Sequence, residues 1–133
     1  MDEFSYEVEM SVRFRDIDAI GHVNNAVYAT YLEQARIEYI EDVLETPVAE
    51  SGVVIANLEL DYERPIELGS DVTVALGVPD VGRSSIPMEY EVRADGTVAA
   101  TASTVMVAVD RDAGTARALP EEWRERIEAH EHW

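Results

Sequence analysis

The first stretch of the chain alternates between apolar and polar side chains. From residue 4 to residue 14, every second position is aromatic or aliphatic, and serine, glutamate or arginine fills each position between. Successive side chains of a strand point to opposite faces of its sheet, so the pattern predicts a strand with one buried face. Its apolar positions are Phe4, Tyr6, Val8, Met10, Val12 and Phe14.

The spacing of apolar residues changes after a polar segment that contains Gly21 and ends at Asn25. Apolar side chains then recur every three or four positions with acidic residues between them, which predicts an amphipathic helix of about 18 residues. We expect Asn25 to be its N-cap, and Pro47 lies just beyond its end. The apolar positions are Tyr28, Tyr31, Leu32, Ala35, Tyr39, Ile40 and Val43.

Four more strands are predicted after this helix. Residues 57–63, 71–78 and 86–93 alternate, with Leu58, Leu60 and Tyr62 on the apolar side of the first. A longer run, residues 98–109, is apolar on both sides and therefore predicts a central strand.

Turn residues separate these segments. Asp95-Gly96 predicts a hairpin between the last two strands, and residues 65–69 predict a second turn. Pro87 indicates an edge position or a bulge, because proline has no N–H to donate. A short helix over about residues 120–129 is expected after Pro120.

This order of elements indicates an α+β fold, with a helix on one face of an antiparallel sheet. The 133 residues suit one domain, 1–133, with its core in about residues 4–110. One helix against five strands is a thin core, so we expect further burial through oligomerisation.

Composition excludes several classes of protein. The chain is 47% hydrophobic, as globular chains are, and it has no cysteine, which excludes disulfides, thiolate metal sites and cysteine nucleophiles. No apolar run approaches the ~20 residues that cross a bilayer, so no membrane partner is expected. Residues 1–4 are acidic where a signal peptide is basic, which predicts a cytoplasmic protein.

Charge is the strongest compositional feature. The formal net charge is −18, and all ten basic residues are arginines. The acidic residues are spread along the chain, which disfavours an acidic partner-binding tail and leaves a well-solvated surface or adaptation to high salt. We favour salt adaptation and predict a halophilic protein that binds no nucleic acid, since phosphates would meet a negative surface.

The residues with chemical potential lie just before the helix. Asp16 and Asp18 would point the same way in an extended segment, and the N–H groups at a helix start can bind an oxyanion. A carboxylate and the His22 imidazole beside such donors suit acyl transfer. The same residues also suit structural roles, with Asp16 accepting hydrogen bonds in a turn, Asp18 capping the loop and Asn25 capping the helix.

The segment DIDAIGHVNNAVY, residues 16–28, resembles the signature of the 4-hydroxybenzoyl-CoA thioesterase-like branch of the hotdog superfamily. Its second half also resembles plant fatty acyl-ACP thioesterases. The likeness continues through residues 62–65, 68–71 and 82–85 and covers roughly residues 4–110.

The resemblance implies a hotdog fold, in which a five-stranded antiparallel sheet wraps around one long central helix. It implies a homodimer whose sheets meet edge to edge with active sites at the subunit interface, and a homotetramer of such dimers is the alternative assembly. The expected partner is an acyl-CoA substrate. No cofactor is expected, because coenzyme A is part of that substrate. No metal is expected either, and His130 and His132 are expected to be frayed at the terminus.

The resemblance also assigns catalytic roles. Asp18 corresponds to the catalytic acid, as nucleophile or as general base for water, and the Asn25 backbone N–H corresponds to the oxyanion donor. His22 matches a catalytic histidine of the acyl-ACP branch, but this chain has Ile20 where that branch has asparagine, so His22 is a supporting residue.

Substrate-binding residues follow in the same way. Tyr28 is expected to shape the acyl pocket, and Arg83, Ser84 and Ser85 occupy the segment that contacts CoA phosphates in the family. Arg64 is a second candidate for phosphate contact. For both arginines the structural alternative is charge balance on a very acidic surface.

Other functions stay open. Glu33 lies on the helix, where a second thioesterase branch has its catalytic acid, although we expect it to pair with Arg36 or face solvent. A hotdog hydratase or dehydratase would need a histidine paired with an acid at the helix. A non-catalytic acyl-CoA-binding module would keep Arg83 and need no Asp18.

Overall fold

The computed structural model describes residues 4–133. Residues 1–3, on which the prediction of no signal peptide depends, lie outside the described residues. Two short 3₁₀ turns, Phe14–Asp16 and Val48–Glu50, accompany the main elements. In chain order these are β1 (Tyr6–Ser11), α1 (Val27–Asp42), β2 (Val53–Tyr62), β3 (Asp71–Gly77), β4 (Ser85–Ala94), β5 (Thr97–Asp110), β6 (Thr115–Ala116) and α2 (Glu121–Glu131).

The strands form one antiparallel sheet in the order β1-β3-β4-β5-β2, and β6 adds a two-residue pairing to β5. The predicted central strand is confirmed, since β5 pairs with β4 on one side and β2 on the other. The Asp95-Gly96 hairpin is also confirmed, with φ angles of 51° and 81° that suit a tight turn of this kind. Pro87 lies where β4 pairs with β5 alone, because β3 ends opposite Glu89.

The core lies between α1 and the inner face of the sheet. Tyr31, Leu32 and Ala35 are buried on α1 and pack with buried alternate residues of β3 and β4, such as Val74 and Met88. Burying one such aliphatic side chain contributes about 1.5–3 kcal/mol, so this face holds the helix on the sheet.

The first strand is shorter than predicted. It ends at Ser11, because its partner β3 begins at Asp71, directly opposite, and offers no backbone beyond that point. The chain then enters the 3₁₀ turn, and Phe14 is 83% exposed instead of buried.

The helix prediction is met only in part. α1 has 16 residues, begins at Val27 and has Ala26 at its N-cap, so the expectation that Asn25 caps it is wrong. Asn24, and not Asn25, makes the side-chain hydrogen bond just before the helix, since its Oδ1 accepts from the Ala26 N–H at 2.9 Å. The short helix expected over about residues 120–129 is present as α2 and packs on the core through Trp123, so the sheet is covered by two helices and a single long central helix is not confirmed.

The predicted buried face of β2 is open. Leu58 is 43% exposed and Tyr62 is 48% exposed, and only Leu60 between them is partly buried against the core, because β2 is the edge strand and is only partly covered. Alternation correctly predicted the strand but not what covers it.

The C-terminal histidine prediction is wrong for His130. Its ring packs against Tyr6 and Tyr39, with centroid distances of 6.0 and 5.5 Å, and its Nε2 is buried. The end of α2 is therefore attached to β1 and α1.

Candidate active site

A tight turn shapes the loop that carries Asp18. The Asp18 Oδ1 accepts hydrogen bonds from the Ile20 N–H at 2.9 Å and the His22 N–H at 3.3 Å. Gly21 has a φ of 93°, which a glycine adopts without strain, and its N–H donates to the Asp18 carbonyl at 3.1 Å. The Ile20 and His22 bonds use the same carboxylate oxygen, so the other oxygen of Asp18, Oδ2, has no partner among residues 4–133.

Asp16 faces a different cavity from Asp18. Its Oδ2 accepts hydrogen bonds from the Arg13 N–H at 2.8 Å and the Tyr31 hydroxyl at 2.9 Å. The expectation that the two aspartates point the same way is wrong, because the 3₁₀ turn at Phe14–Asp16 separates them. Asp16 thus accepts hydrogen bonds in a turn, which is the structural role that the sequence offered as the alternative to a chemical one. Burial, together with the Asp16 carboxylate, raises the pKa of Tyr31, so this hydroxyl remains a donor.

A depression of about 390 Å³ brings five predicted site residues together. Asp18 and His22 come from the loop, Asn25 and Tyr28 from the start of α1, and Arg64 from the segment after β2. The Val23 N–H donates to the Ile66 carbonyl at 2.7 Å and ties the two segments together. The remaining lining residues are Ile20, Val23, Tyr62, Glu63 and Pro65.

Two tyrosines pack edge to face in this depression. The Tyr28 and Tyr62 ring centroids are 4.9 Å apart at 86°, and Tyr28 is only 2% exposed. Burial, with a smaller contribution from Tyr62, raises the pKa of Tyr28, whose hydroxyl donates to the Arg64 carbonyl at 3.4 Å.

Sequence reasoning missed Tyr62 as a site residue. Its hydroxyl donates a 2.8 Å hydrogen bond to the Asn25 carbonyl, which connects the end of β2 to the start of α1. The signal that was available is its position at the head of residues 62–65, a segment that carries part of the family resemblance.

The backbone around Asn25 is held on both sides. The Asn24 N–H donates to the Asp16 carbonyl at 2.8 Å, and the Ala26 N–H donates to the Asn24 side chain. Within residues 4–133 the Asn25 N–H itself finds no acceptor. It lies just before the first turn of α1, where the helix dipole favours negative charge, and an oxyanion can accept its hydrogen bond.

Arg83, Ser84 and Ser85 are not part of this depression in one chain. Ser85 pairs with Val107, which pairs in turn with Val54, whereas Tyr62 lies at the opposite end of β2. The Arg83 side chain is exposed, and its Nη1 donates to the Ser84 hydroxyl at 3.3 Å.

Glu33 is exposed and forms no ion pair with Arg36 within the described residues, so the solvent-facing alternative is confirmed. It lines a separate groove with Arg36, Ile55 and Leu58. Arg36 donates instead to the Tyr90 hydroxyl at 3.4 Å.

Comparison with known proteins identifies the family. The model of the Thioesterase-like superfamily matches residues 12–127. The chain belongs to this superfamily. It is 31% identical over 127 residues to the long-chain acyl-CoA thioesterase FadM of Escherichia coli strain K12, covering 92% of this chain and 96% of FadM.

Further members of the Thioesterase-like superfamily are similar to this chain. It is 29% identical over 126 residues to a 1,4-dihydroxy-2-naphthoyl-CoA hydrolase of Nostoc punctiforme, covering 89% of this chain and 83% of the hydrolase. The crystal structure of a thioesterase complexed with coenzyme A and Zn from Thermus thermophilus has a TM-score of 0.92 at 44% identity. That comparison covers 100% of this chain and 98% of the Thermus chain.

Membership of the superfamily confirms the α+β fold class and the antiparallel curled sheet. In residues 4–133, no group of three metal-binding side chains is placed to hold an ion. None of the helices in that range is long and apolar enough to cross a membrane.

Proposed function

We propose that the protein hydrolyses an acyl-CoA thioester to a free acid and coenzyme A. One observation carries the proposal: the Asp18 carboxylate, with one oxygen free, lines the same depression as Asn25 at the start of α1. The thioesterases named among its relatives support the same reaction. They give no support to a hydratase or to a binding module without catalysis.

The proposed chemistry divides between these groups. The thioester carbonyl oxygen accepts a hydrogen bond from the Asn25 N–H. Asp18 either takes a proton from an attacking water or attacks the carbonyl carbon itself. The carbon–sulfur bond then breaks, and the CoA thiolate leaves and takes up the proton that Asp18 received from water. If Asp18 attacks directly, the thiolate takes its proton from solvent, and a water then hydrolyses the acyl-aspartate anhydride to release the free acid and restore the carboxylate. Negative charge builds on the carbonyl oxygen at the transition state, so the held N–H stabilises that state more than the ground state.

The neighbouring side chains have supporting roles in the proposal. The His22 imidazole makes no hydrogen bond with any of residues 4–133, so it is available to the substrate or to the attacking water. Tyr28 forms the apolar wall beside the reacting carbonyl, and the exposed Arg64 offers a positive charge at the rim.

A homodimer would complete the site. β2 is an edge strand with an unpaired side and exposed Val54, Leu58 and Tyr62, which is a surface suited to a second sheet edge. If two β2 strands pair antiparallel about a two-fold axis, the Tyr62 end of one lies beside the Val53 end of the other.

That pairing would place residues 83–85, the candidate CoA-phosphate contacts, near the loop that carries Asp18. Ser85 is in register with Val54 through β5, so Arg83 of the partner subunit would lie at the same end of the dimer as Asp18. Arg83, Ser84 and Ser85 would then contact the CoA phosphates from the neighbouring chain, and a tetramer would be a pair of such dimers.

A panel of acyl-CoA esters with a free-thiol readout tests the proposal. The panel should include short, long and aromatic acyl groups, because the depression does not fix which one fits. We expect hydrolysis of at least one ester by the wild type. The proposal fails if no ester releases thiol above the rate in buffer while CoA still binds.

A further inference from the structure

The C-terminal segment, residues 119–133, forms hydrogen bonds with the connection between β3 and β4, residues 78–84. Arg124 on α2 donates from Nη2 to the Gly82 carbonyl at 2.6 Å and to the Arg83 carbonyl at 3.2 Å. The Leu119 N–H donates to the same Arg83 carbonyl at 2.8 Å. At the other end of the connection, Trp133 Nε1 donates to the Val78 carbonyl at 3.1 Å. Four hydrogen bonds thus link one end of the chain to the segment that precedes Ser85.

The connection is also tightly built around Gly82. Its N–H donates to the Ser85 carbonyl at 2.9 Å, and the Ala108 N–H donates to the Ser84 carbonyl at 2.9 Å. A Cβ on Gly82 would clash with the Ser85 hydroxyl. The backbone of Arg83 is therefore fixed on both sides, while its side chain remains exposed.

The helix that carries Arg124, α2, is anchored in the hydrophobic core. Trp123 is 5% exposed and Ile127 is fully buried. Arg126 donates to the Leu44 carbonyl at 2.8 Å on the far side of α2 from the connection. Arg124 therefore extends from an anchored helix, so the position of its guanidinium is set by the core.

We propose that Arg124 is a positioning residue for binding the CoA phosphates. The inference rests on the proposed function, in which Arg83, Ser84 and Ser85 contact these phosphates. A guanidinium that donates to two successive carbonyls fixes the direction of the Arg83 backbone. An exposed arginine on a fixed backbone loses less conformational freedom when it binds an anion, so affinity rises without any contact between Arg124 and substrate.

The test compares two arginines of α2 on two substrates. In Arg124→Gln we expect KM for the best acyl-CoA to rise on the order of tenfold, or about 1.4 kcal/mol, with kcat unchanged. The S-acyl pantetheine with the same acyl group lacks the nucleotide and its phosphates, so its KM should not change. Arg126→Gln is the matched control, because it also loses an arginine–carbonyl bond but leaves the connection intact. Arg83→Ala should raise KM for acyl-CoA alone and is the reference for a lost phosphate contact.

Two results overturn the inference. One is an equal rise of KM for both substrates in Arg124→Gln, and the other is the same rise in Arg126→Gln. Calorimetric titration with CoA separates this inference from the proposed function. If the wild type binds CoA but hydrolyses nothing, the proposed function fails, and a weaker CoA affinity in Arg124→Gln than in Arg126→Gln still supports the positioning role. Equal CoA affinities in those two variants overturn it.

Discussion

At the scale of single residues, the two aspartates before α1 differ in what their oxygens contact. Asp18 has a free Oδ2 in the candidate site, whereas Asp16 is committed to Arg13 and Tyr31. Asp18→Asn keeps the shape and the Oδ1 acceptor but removes the charge, so it neither attacks nor takes a proton. We expect kcat to fall by about 10²–10⁴-fold with little change in Tm.

Two further variants calibrate that loss. Asp16→Asn should lower kcat less, since its role is structural, and Glu33→Gln should lower it least. All three are measured on the best acyl-CoA. Near-normal turnover in Asp18→Asn together with a loss in Glu33→Gln would assign the catalytic acid to α1.

The Tyr62 hydroxyl is expected to fix the oxyanion donor. It holds the Asn25 carbonyl at 2.8 Å, and the N–H of the same residue is the proposed donor. Tyr62→Phe keeps the ring against Tyr28 but releases the Asn25 carbonyl, which belongs to the peptide that follows the donor N–H on the same residue. The Asn25 backbone should then be held less firmly, so kcat should fall about tenfold at an unchanged KM, less than the roughly 10²–10³ that follows loss of a direct donor. Tyr62→Leu, which also loses the ring contact, should in addition raise KM. An unchanged kcat in Tyr62→Phe would mean that the bond has no catalytic role.

At the scale of elements, the open edge of β2 predicts the assembly. We expect at least a dimer by light scattering at micromolar concentration, because edge backbone and exposed apolar side chains need cover. Leu58→Glu should yield a monomer, since it places like charges near the two-fold axis, and activity should be lost with the dimer. Leu68→Glu is the control: Leu68 is 53% exposed, compared with 43% for Leu58, but lies outside β2. A fully active wild-type monomer would exclude an interfacial site.

The same strand marks the limit of what the sequence could predict. Alternation identified β2, β3 and β4 as strands, and a continuous apolar run identified β5, because both patterns are local properties of the sequence. It did not show that β2 is uncovered or that β1 stops at Ser11, since both depend on which strand lies alongside. Asn24 and Asn25 are equally good capping residues, and only the path of the chain selects one.

In the candidate site too, local patterns were predictable from the sequence and contacts between distant segments were not. Asp18, His22 and Tyr28 were found because they lie within one short motif. The relation of Arg83 to them could not be found, because it requires a second chain. Tyr62 was overlooked because an aromatic residue at the end of a strand is usually a packing residue.

At the scale of the whole molecule, acidic side chains face each other across the outer surface of the sheet. Ion pairs within residues 4–133 involve only Arg93 and Arg126. Carboxylates of β2 and β4 are two strand spacings apart, about 10 Å, which equals the screening length at about 0.1 M salt. The two rows are Glu59–Ser103–Glu89 and Asp61–Thr101–Glu91.

Salt should therefore stabilise the protein. We expect Tm to rise as KCl increases from about 0.1 M to 1 M, where the screening length is about 3 Å. Glu89→Gln should raise Tm at low salt and have little effect at high salt, because it removes one repulsive charge. A Tm that stays flat or falls with KCl would contradict the prediction of a halophilic protein.

Buried tyrosines should make the protein sensitive to alkali. Burial raises the pKa of five of its six tyrosines, so they stay neutral in the folded state where the unfolded chain ionises. Their stabilising contribution is complete below about pH 10 and is lost above it, so Tm should fall from pH 10 upward. Scans from pH 8 to 11 in 1 M KCl test this, and Tyr39→Phe should flatten the fall. A Tm independent of pH over that range would show that these phenols ionise without unfolding. The five are Tyr6, Tyr28, Tyr31, Tyr39 and Tyr90.

The sheet order also has a consequence for biosynthesis. Among the described strands, β2 pairs with β5 alone, and β5 leaves the ribosome after β3 and β4. At about 5–20 residues per second, β2 waits a few seconds without a partner while Leu58 and Leu60 are in water. Glu59 and Asp61 alternate with these leucines on the strand, and their charges oppose association between nascent chains. The acidic face of β2 thus protects the chain from aggregation before it has a fold to stabilise.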